Sequence, residues 1–519
     1  MAQRRIVIVG GGTAGWLTAA YLAKRLRAAD PDGCAITLIE APDIATIGVG
    51  EGTFPTIRST LASLGVDEAR FLRESSATFK QGVRFRNWAR APDKTGGGDD
   101  YFHPFNLPYR EPGLDLSAYW LKSGQDRPFA DAMTMQGAVI RAGLAPKRPG
   151  DADFEGPMNY AYHFDAVRFA GFLRQVSKDL GVRHLTGAVH AVHRDEQGGI
   201  AAIESAEHGR LEADLFIDCS GFRGLLIGQA LGSSFRPCDE VLFNDRALAI
   251  QVPYAEPDAA IAPYTLATAH EAGWTWDIGL DSRRGIGYVF SSRHSDETRA
   301  EEVLRAYIGP QAEGLSARLI KFQTGFRERQ WIGNCVAVGL SAGFFEPLES
   351  TGIMLIEVAA ALIADFFATP DRTAMAAAAR SFNSQMLARF ERILDFLKLH
   401  YCVSARRDTA YWRDNADPAS IPLSLQDRLT QWRLRPVSAF DFITDLETFL
   451  PASYEYILYG MGVRAETGAW SGRYRNDAGA ARAFHKVDQA AAEAVKHLPS
   501  HRDLVRLYHA RAQAGRPAA

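Results

Sequence analysis

An apolar run that breaks into a cluster of glycines near the start of the chain constrains the fold more than any other feature. Arg5-Ile6-Val7-Ile8-Val9 is continuous and β-branched, the pattern of a strand buried on both faces of a parallel sheet. It runs directly into Gly10-Gly11-Gly12-Thr13-Ala14-Gly15, and Trp16 to Arg27 then reads as an amphipathic helix. Each glycine has a physical use in such a turn. Gly10 permits the tight bend, Gly12 lets a pyrophosphate approach the backbone, and Gly15 lets the helix pack closely on the strand. A second strand, Ala35 to Ile39, ends at Glu40, placed to accept hydrogen bonds from a ribose. A carboxylate there favours an unphosphorylated ribose, so FAD or NAD is expected rather than NADP. No second fingerprint of this kind follows a strand later in the chain.

Composition excludes several other classes. With 519 residues, one large composite fold or two closely associated modules are expected. The 58 basic and 61 acidic residues leave a net charge of −3, which argues against nucleic acid as the main partner. The five cysteines are odd in number and widely spaced, without a CxxC pair, which predicts free thiols and no zinc site. The first residues lack the long apolar region of a secretory signal, and the apolar run Gly352 to Phe367 is interrupted by Glu357 and Asp365. A cytoplasmic protein that does not enter the membrane is the expectation.

Along the chain, Gly48-Val49-Gly50-Glu51-Gly52-Thr53 is a further glycine-rich loop that suits either a cofactor lining or an ordinary connection. Asp67 to Lys80 reads as one or two helices and Gln81 to Trp88 as a strand, which puts Lys80 at a junction, where most lysines are solvated. Tyr101-Phe102-His103-Pro104-Phe105 is an aromatic cluster fit to cover a core or to bracket a flat ligand. Asp165 to Leu180 is helical by spacing, and Ala188 to Val192, Ile200 to Ser205 and Leu211 to Asp218 read as strands. Ala247 to Pro253, Trp274 to Leu280 and Gly287 to Ser292 add further strands, with Trp274 and Trp276 alternating onto one face. Thr373 to His400 reads as a long helix, and Ser438 to Gly460 and Ala478 to Ala512 as mainly helical.

The stretch Gly339 to Thr351 follows a strand-like Cys335 to Val338 and opens the helix Ile353 to Phe367. Ser350 or Thr351 stands where an N-cap is expected, and the unpaired N–H groups of Thr351 and Gly352 suit a small anion. Glu349 stands immediately beside them. Taken alone, this reads first as a capped structural helix preceded by an acid that favours its dipole.

Four pieces of the chain, in order, resemble the flavin-dependent tryptophan halogenases: Gly10 to Trp16 (GGGTAGW), Ala77 to Trp88 (ATFKQGVRFRNW), Gly273 to Ile278 (GWTWDI) with Gly287 to Ser292 (GYVFSS), and Gly339 to Ile353 (GLSAGFFEPLESTGI). Asp395 to Trp412 is similar to a family segment as well. The resemblance implies an α/β fold, an FAD-binding, glutathione-reductase-like Rossmann module with an inserted β-sheet and a helical C-terminal cap. It also implies two regions packed as one composite unit, residues 1–370 with the FAD and halide site and residues 371–519 as the substrate-side cap. Lys80 matches the family's catalytic lysine and Glu349 its catalytic glutamate, while Thr351 and Gly352 match the halide site. Gly10, Gly12, Thr13, Ala14, Gly15, Glu40, Gly48, Val49, Gly50, Glu51, Val189, Leu340 and Ile353 fall where the family holds FAD. The implied chemistry makes hypohalous acid from FADH2, O2 and chloride or bromide. Lys80 then aims the halogen by hydrogen bonding or as a haloamine, and Glu349 accepts the ring proton. The absence of a second nucleotide fingerprint agrees with reduced flavin arriving from a separate flavin reductase, and the resemblance leaves room for a homodimer.

On the substrate side, His103 and Phe105 match residues that sandwich an indole. Trp274 and Trp276 match the family's WxWxIP tunnel wall, with Gly279 in place of the final proline. Phe449 and Tyr454 fall where members hold the amino-acid end of tryptophan, but Arg435 to Tyr454 lacks the expected tyrosine pair. An indole-type or larger aromatic is therefore expected rather than a tight free-tryptophan site. An aromatic hydroxylase of the same superfamily and a flavin-binding protein without turnover are the alternatives.

Overall fold

The computed structural model describes residues 3–42, 50–93, 98–123, 127–466, 468 and 470–514. They form two compact units, each assembled from three stretches of chain: Met1–Ala77, Phe164–Asp239 and Phe322–Phe390 in the first, and Thr78–His163, Glu240–Lys321 and Glu391–Ala519 in the second. The first unit thus continues past residue 370 to Phe390, and the second takes in central strands together with the C-terminal helices.

The first unit is built on a six-stranded sheet in the order Trp331–Ile332, Cys335–Ala337, Leu215–Asp218, Arg5–Val9, Ala35–Glu40, Arg183–Thr186. All neighbours are parallel except the first pair. Burial on both faces explains why these strands are nearly unbroken apolar runs. The helix Thr13–Arg25 packs on one face and against the helices Ala166–Asp179 and Thr351–Phe366. Over the other face, Val7, Val9, Ile39 and Phe216 meet Ile200 and Ile203 of a three-stranded antiparallel sheet. The helix begins at Thr13, earlier than the expected Trp16, because the backbone after Gly12 is already helical.

In the second unit a seven-stranded sheet runs in the order Arg318–Lys321, Arg246–Pro253, Arg283–Phe290, Gly273–Gly279, Thr265–Ala269, Gly82–Arg86, Asp100–Pro104. The pair Thr265–Ala269 and Gly82–Arg86 is parallel and the other neighbours are antiparallel. The helix Glu297–Ile308 covers one part of it, with Ala300, Leu304 and Ile308 against Ile250, Ile286 and Tyr288. The helix Pro451–Gly460 packs on the edge strand Asp100–Pro104, and His501–Ala514 packs on a short strand, Thr78–Lys80. Lys80 therefore ends a strand, while the preceding helix is only Glu68–Glu74. Residues 438–460, expected to be mainly helical, hold two 3-10 turns before the helix Pro451–Gly460, and Phe440 and Ile443 in them are exposed. Among the described residues no helix is long and apolar enough to cross a membrane, and no group of His, Cys, Asp and Glu is arranged to hold a metal ion.

Candidate active site

In the first unit the glycine turn is fixed by contacts that only glycine tolerates. Gly10 has φ +116°, and a Cβ there would stand 2.2 Å from Cys219 O. A Cβ at Gly15 would stand 1.8 Å from Gly10 O, so the helix lies directly on the turn. At Gly12, by contrast, a Cβ would meet nothing within 4 Å. Gly12 is also the N-cap of the helix and provides no side-chain cap, which leaves the first-turn N–H groups for another acceptor. Thr13 Oγ1 is buried with no hydrogen-bond partner among the described residues. Glu40 ends its strand with Oε1 2.8 Å from His184 Nε2, and its carboxylate fills the space beside Gly11. An open backbone at a helix start, an orphaned hydroxyl and a carboxylate at the end of the second strand fit the pyrophosphate and ribose of a dinucleotide.

The stretch at residues 339–353 lies against the same turn. Gly339 has φ +75°, and a Cβ there would stand 2.6 Å from Ala14 Cβ, so the turn bearing Leu340 is seated on the nucleotide helix. The next helix, Thr351–Phe366, has Ser350 as its N-cap in a left-handed conformation, φ 58° and ψ 39°, with no side-chain cap. Glu349 and Thr351 are buried and Gly352 is exposed. An uncapped helix start beside a buried carboxylate is an arrangement suited to a compact anion and a proton acceptor. Further along the helix Glu357 accepts hydrogen bonds from Thr56 Oγ1 at 2.8 Å and Thr60 Oγ1 at 2.5 Å, and burial pushes its carboxyl up to about 7. Burial and then the Asp165 carboxylate push Glu51 up to about 7 as well. Gly50 and Glu51 lie on a short strand, Gly50–Gly52, Val189 begins the strand Val189–Arg194, and Ile353 is buried in the helix. Gly48 and Val49 lie outside the described residues.

Lys80 belongs to the second unit and is completely buried. Its strand pairs with Ala161–Asp165 in the register Thr78↔His163 and Lys80↔Ala161, which puts Thr78, Lys80 and His163 on one face of the ladder. Thr78 Oγ1 donates to Gly279 O at 2.6 Å, and His163 Nε2 lies 2.8 Å from Thr265 Oγ1. Burial, and then the charge of Lys80, hold the His163 imidazole well below its ordinary value, so it is neutral. Its Nδ1 is buried with no partner among the described residues. Gly82, at φ +148°, turns the chain from this strand into the next, and a Cβ there would strike His103 O at 2.3 Å.

The Lys80 ammonium lies 5.4 Å from the centroid of the Phe105 ring, a cation–π distance. His103 is buried on the neighbouring edge strand, its ring 6.0 Å from Phe396 and 5.9 Å from Tyr456. Phe105 is half-buried, and its backbone is enclosed by amides. Phe105 N–H donates to Gln81 O at 3.1 Å, and Asn159 Nδ2 donates to Phe105 O at 3.1 Å.

The other expected substrate and tunnel residues sit in packed aromatic surroundings. Phe449 stacks on Phe396 at 3.8 Å, and Tyr454 is enclosed by Phe396, Phe442 and Trp432. Trp274 and Trp276 share one face of the strand Gly273–Gly279, 6.5 Å apart, and a Cβ at Gly287 would meet the Trp276 ring at 2.1 Å. Sequence reading missed His163, His501, Glu357 and the amides around Phe105. The only signal available for the histidine was its place in an apolar, aromatic run, Ala161 to Phe164.

Comparisons with known proteins identify the family. The family model for tryptophan halogenase matches residues 5–473. A tryptophan 6-halogenase of Streptomyces toxytricini is 37% identical over 479 residues, covering 88% of this chain and 89% of that protein. The crystal structure of a tryptophan halogenase from Shewanella frigidimarina superposes with a TM-score of 0.94 at 39% identity, covering 98% of each chain. A flavin-dependent halogenase from Xanthomonas campestris superposes with a TM-score of 0.87 at 35% identity, again covering 98% of each chain. With the glycine turn, the uncapped helix start and the buried lysine in place, the chain belongs to the flavin-dependent tryptophan halogenase family.

Proposed function

We propose that the protein is a halogenase that takes FADH2 from a separate flavin reductase and uses O2 and chloride or bromide to halogenate an electron-rich aromatic, indole or a tryptophan-like compound. The observation that carries this reading is the completely buried Lys80, whose ammonium lies over the Phe105 ring at 5.4 Å, in a chain of this family. An aromatic face beside a buried ammonium is a place for a second flat ring.

Gly10, Gly12, Thr13, Ala14, Gly15 and Glu40 are the residues that hold the nucleotide part of FAD, with Gly50, Glu51, Val189, Leu340 and Ile353 along the rest. Reduced flavin, when bound, supplies the two electrons that, with O2, turn halide into hypohalous acid. The backbone N–H groups of Thr351 and Gly352 hold the halide, a compact anion that only accepts hydrogen bonds. Lys80 donates hydrogen bonds to hypohalous acid, or carries the halogen as a haloamine, and so directs it to one ring carbon. Glu349 stabilises the cationic ring that results and accepts the proton from the halogenated carbon. His103 and Phe105 flank the arene, and Trp274 and Trp276 wall it off.

The test is turnover of indole with reductase, FAD, O2 and bromide, followed by mass spectrometry. Brominated indole is expected from the wild type. Its rate is expected to fall by about 10²-fold or more in Lys80→Ala and in Glu349→Gln, the scale of a lost acid–base or nucleophilic group. Wild-type rates in both variants, or an oxygenated product that forms without halide, overturn the reading.

A further inference from the structure

The segment that presents Phe105 lies just beyond the strand Asp100–Pro104, and its backbone is held by the side-chain amides of Gln136 and Asn159, the main-chain carbonyl of Gln81 and the Tyr456 hydroxyl, with the Gln81 and Asn106 side chains joined to the same network. Gln81 and Gln136 are completely buried, and Asn106 and Asn159 are half-buried. Gln136 Oε1 accepts the Asn106 N–H at 2.7 Å, and its Nε2 donates to Asn159 O at 2.7 Å and to Gln81 Oε1 at 3.4 Å. Asn159 N–H donates to Asn106 Oδ1 at 2.6 Å, and Tyr456 Oη donates to Asn106 O at 2.9 Å. Together with the two bonds on Phe105 itself, every backbone polar group of Phe105 and Asn106 is paired.

The network has a direction. It starts at Gln81, the residue after Lys80, passes through Gln136 and Asn159, and returns to the backbone of Phe105, whose ring faces the Lys80 ammonium. A connecting segment outside a strand ordinarily has freedom that a strand lacks. Here directional hydrogen bonds in a buried setting remove it. The four amide side chains of this network are uncharged. Gln136 is the residue least replaceable by another type. Its oxygen must accept from a backbone N–H while its nitrogen donates twice, and a glutamate there would set lone pairs against Asn159 O and Gln81 Oε1.

We propose that Gln136, with Asn159 and Gln81, is a positioning residue that fixes the Phe105 ring relative to Lys80 and thereby selects which carbon of an indole-type ring receives the halogen. The inference rests on the halogenase reading above. Misplacing a reacting ring is costly because the aligned geometry is itself a large part of the rate.

The experiment uses the full chain with reductase, FAD, O2, bromide and indole as the probe arene, and follows both products and oxidant. Gln136→Met keeps the length and removes all three bonds. Brominated indole formation is expected to fall roughly 10- to 100-fold in kcat, with a broader distribution of isomers, the scale of a small misplacement of reacting groups. Hypobromous acid captured by a soluble trap is expected to stay at the wild-type rate, since the flavin residues belong to the other unit. In a Phe105→Ala background the same substitution is expected to add nothing. Asn159→Ser removes the single side-chain bond to Phe105 O and is expected to shift the isomers in the same direction, which keeps the test decisive if Gln136→Met is poorly folded. An unchanged isomer distribution in a folded variant of either residue, or a loss that multiplies fully with Phe105→Ala, overturns the proposal. A wild type that brominates no arene overturns the halogenase reading and this proposal together, an outcome distinct from an active wild type whose variants keep its products.

Discussion

His501 Nε2 accepts the backbone N–H of Phe79 at 3.0 Å, a bond that joins residues 422 positions apart. The other ring nitrogen, Nδ1, lies 3.0 Å from Ile261 O, and a carbonyl only accepts, so Nδ1 carries the proton and the imidazole is neutral. Phe79 immediately precedes Lys80. The position of the lysine's strand is therefore set by a residue at the start of the helix His501–Ala514 as well as by its ladder with Ala161–Asp165.

Replacing His501 by alanine leaves a buried N–H and a buried carbonyl without partners, at about 1–3 kcal/mol each. Burial is the main reason that the imidazole is lowered to about 4 from 6.5. The unfolded chain takes up a proton that the folded one refuses, so this contribution is complete above pH 6.5 and is lost as pH falls towards 4. The loss amounts to about 3 kcal/mol. His501→Ala is thus expected to be less stable at pH 7.5 yet to lose less on acidification. Urea unfolding at pH 7.5 and 5 measures both, and parallel profiles for variant and wild type would count against the assignment.

Glu357 has the opposite sign. Its carboxyl stands at about 7 in the folded protein against 4.5 ordinarily, raised by burial and held down in part by the Thr60 and Thr56 hydroxyls. Its contribution is fully present below pH 4.5 and is lost as pH rises through 7, up to about 3 kcal/mol. Glutamine keeps the shape, accepts one hydroxyl and donates to the other. Glu357→Gln is therefore expected to gain stability relative to wild type between pH 4.5 and 8, read from paired denaturation curves. A difference that stays flat over that range would show that the carboxyl does not titrate there.

The parts of this architecture that were legible in sequence are those whose cause is local. The glycine turn was readable because Gly10, Gly12 and Gly15 answer to backbone geometry within one strand–turn–helix unit. The helix start at residues 350–351 was readable for the same reason, although Ser350 takes a left-handed conformation there and provides no side-chain cap. Lys80 was legible only through resemblance, since its burial depends on a strand some eighty positions away and on His501 beyond that. Ser438 to Gly460 read as mainly helical, yet Phe440 and Ile443 stay exposed and the backbone before Pro451 forms 3-10 turns instead. Phe449 and Tyr454 were recognisable as aromatic, but the partners that enclose them come from helices elsewhere in the unit.

The departure at Gly279 has a structural counterpart. A Cβ there would stand 2.8 Å from Ile261 Cγ2 and 2.9 Å from the Tyr254 hydroxyl, both ends of side chains, while Gly279 O holds Thr78 of the Lys80 strand. Gly279→Ala is expected to cost about 1–3 kcal/mol through overpacking. A variant as stable as wild type in thermal unfolding would mean that Tyr254 and Ile261 yield without penalty.

Gly10 and Gly12 separate folding from cofactor binding. At Gly10 a side chain meets backbone at 2.2 Å in a conformation, φ +116°, that other residues rarely adopt. The atoms met are main-chain rather than the end of a flexible side chain, so Gly10→Ala is expected to unfold the first unit or to lower its stability by several kcal/mol, on the order of a strained left-handed residue combined with overpacking. At Gly12 the same methyl meets nothing within 4 Å of the protein. Gly12→Ala is therefore expected to fold with a thermal midpoint within about 2 °C of wild type, the scale of a surface substitution. Its affinity for FAD is nevertheless expected to fall at least tenfold, about 1.4 kcal/mol, because the methyl occupies the side from which a pyrophosphate approaches the helix start. Fluorescence titration of FAD against both variants decides the matter. Undiminished FAD affinity in Gly12→Ala would place the nucleotide elsewhere, whatever the fate of Gly10→Ala.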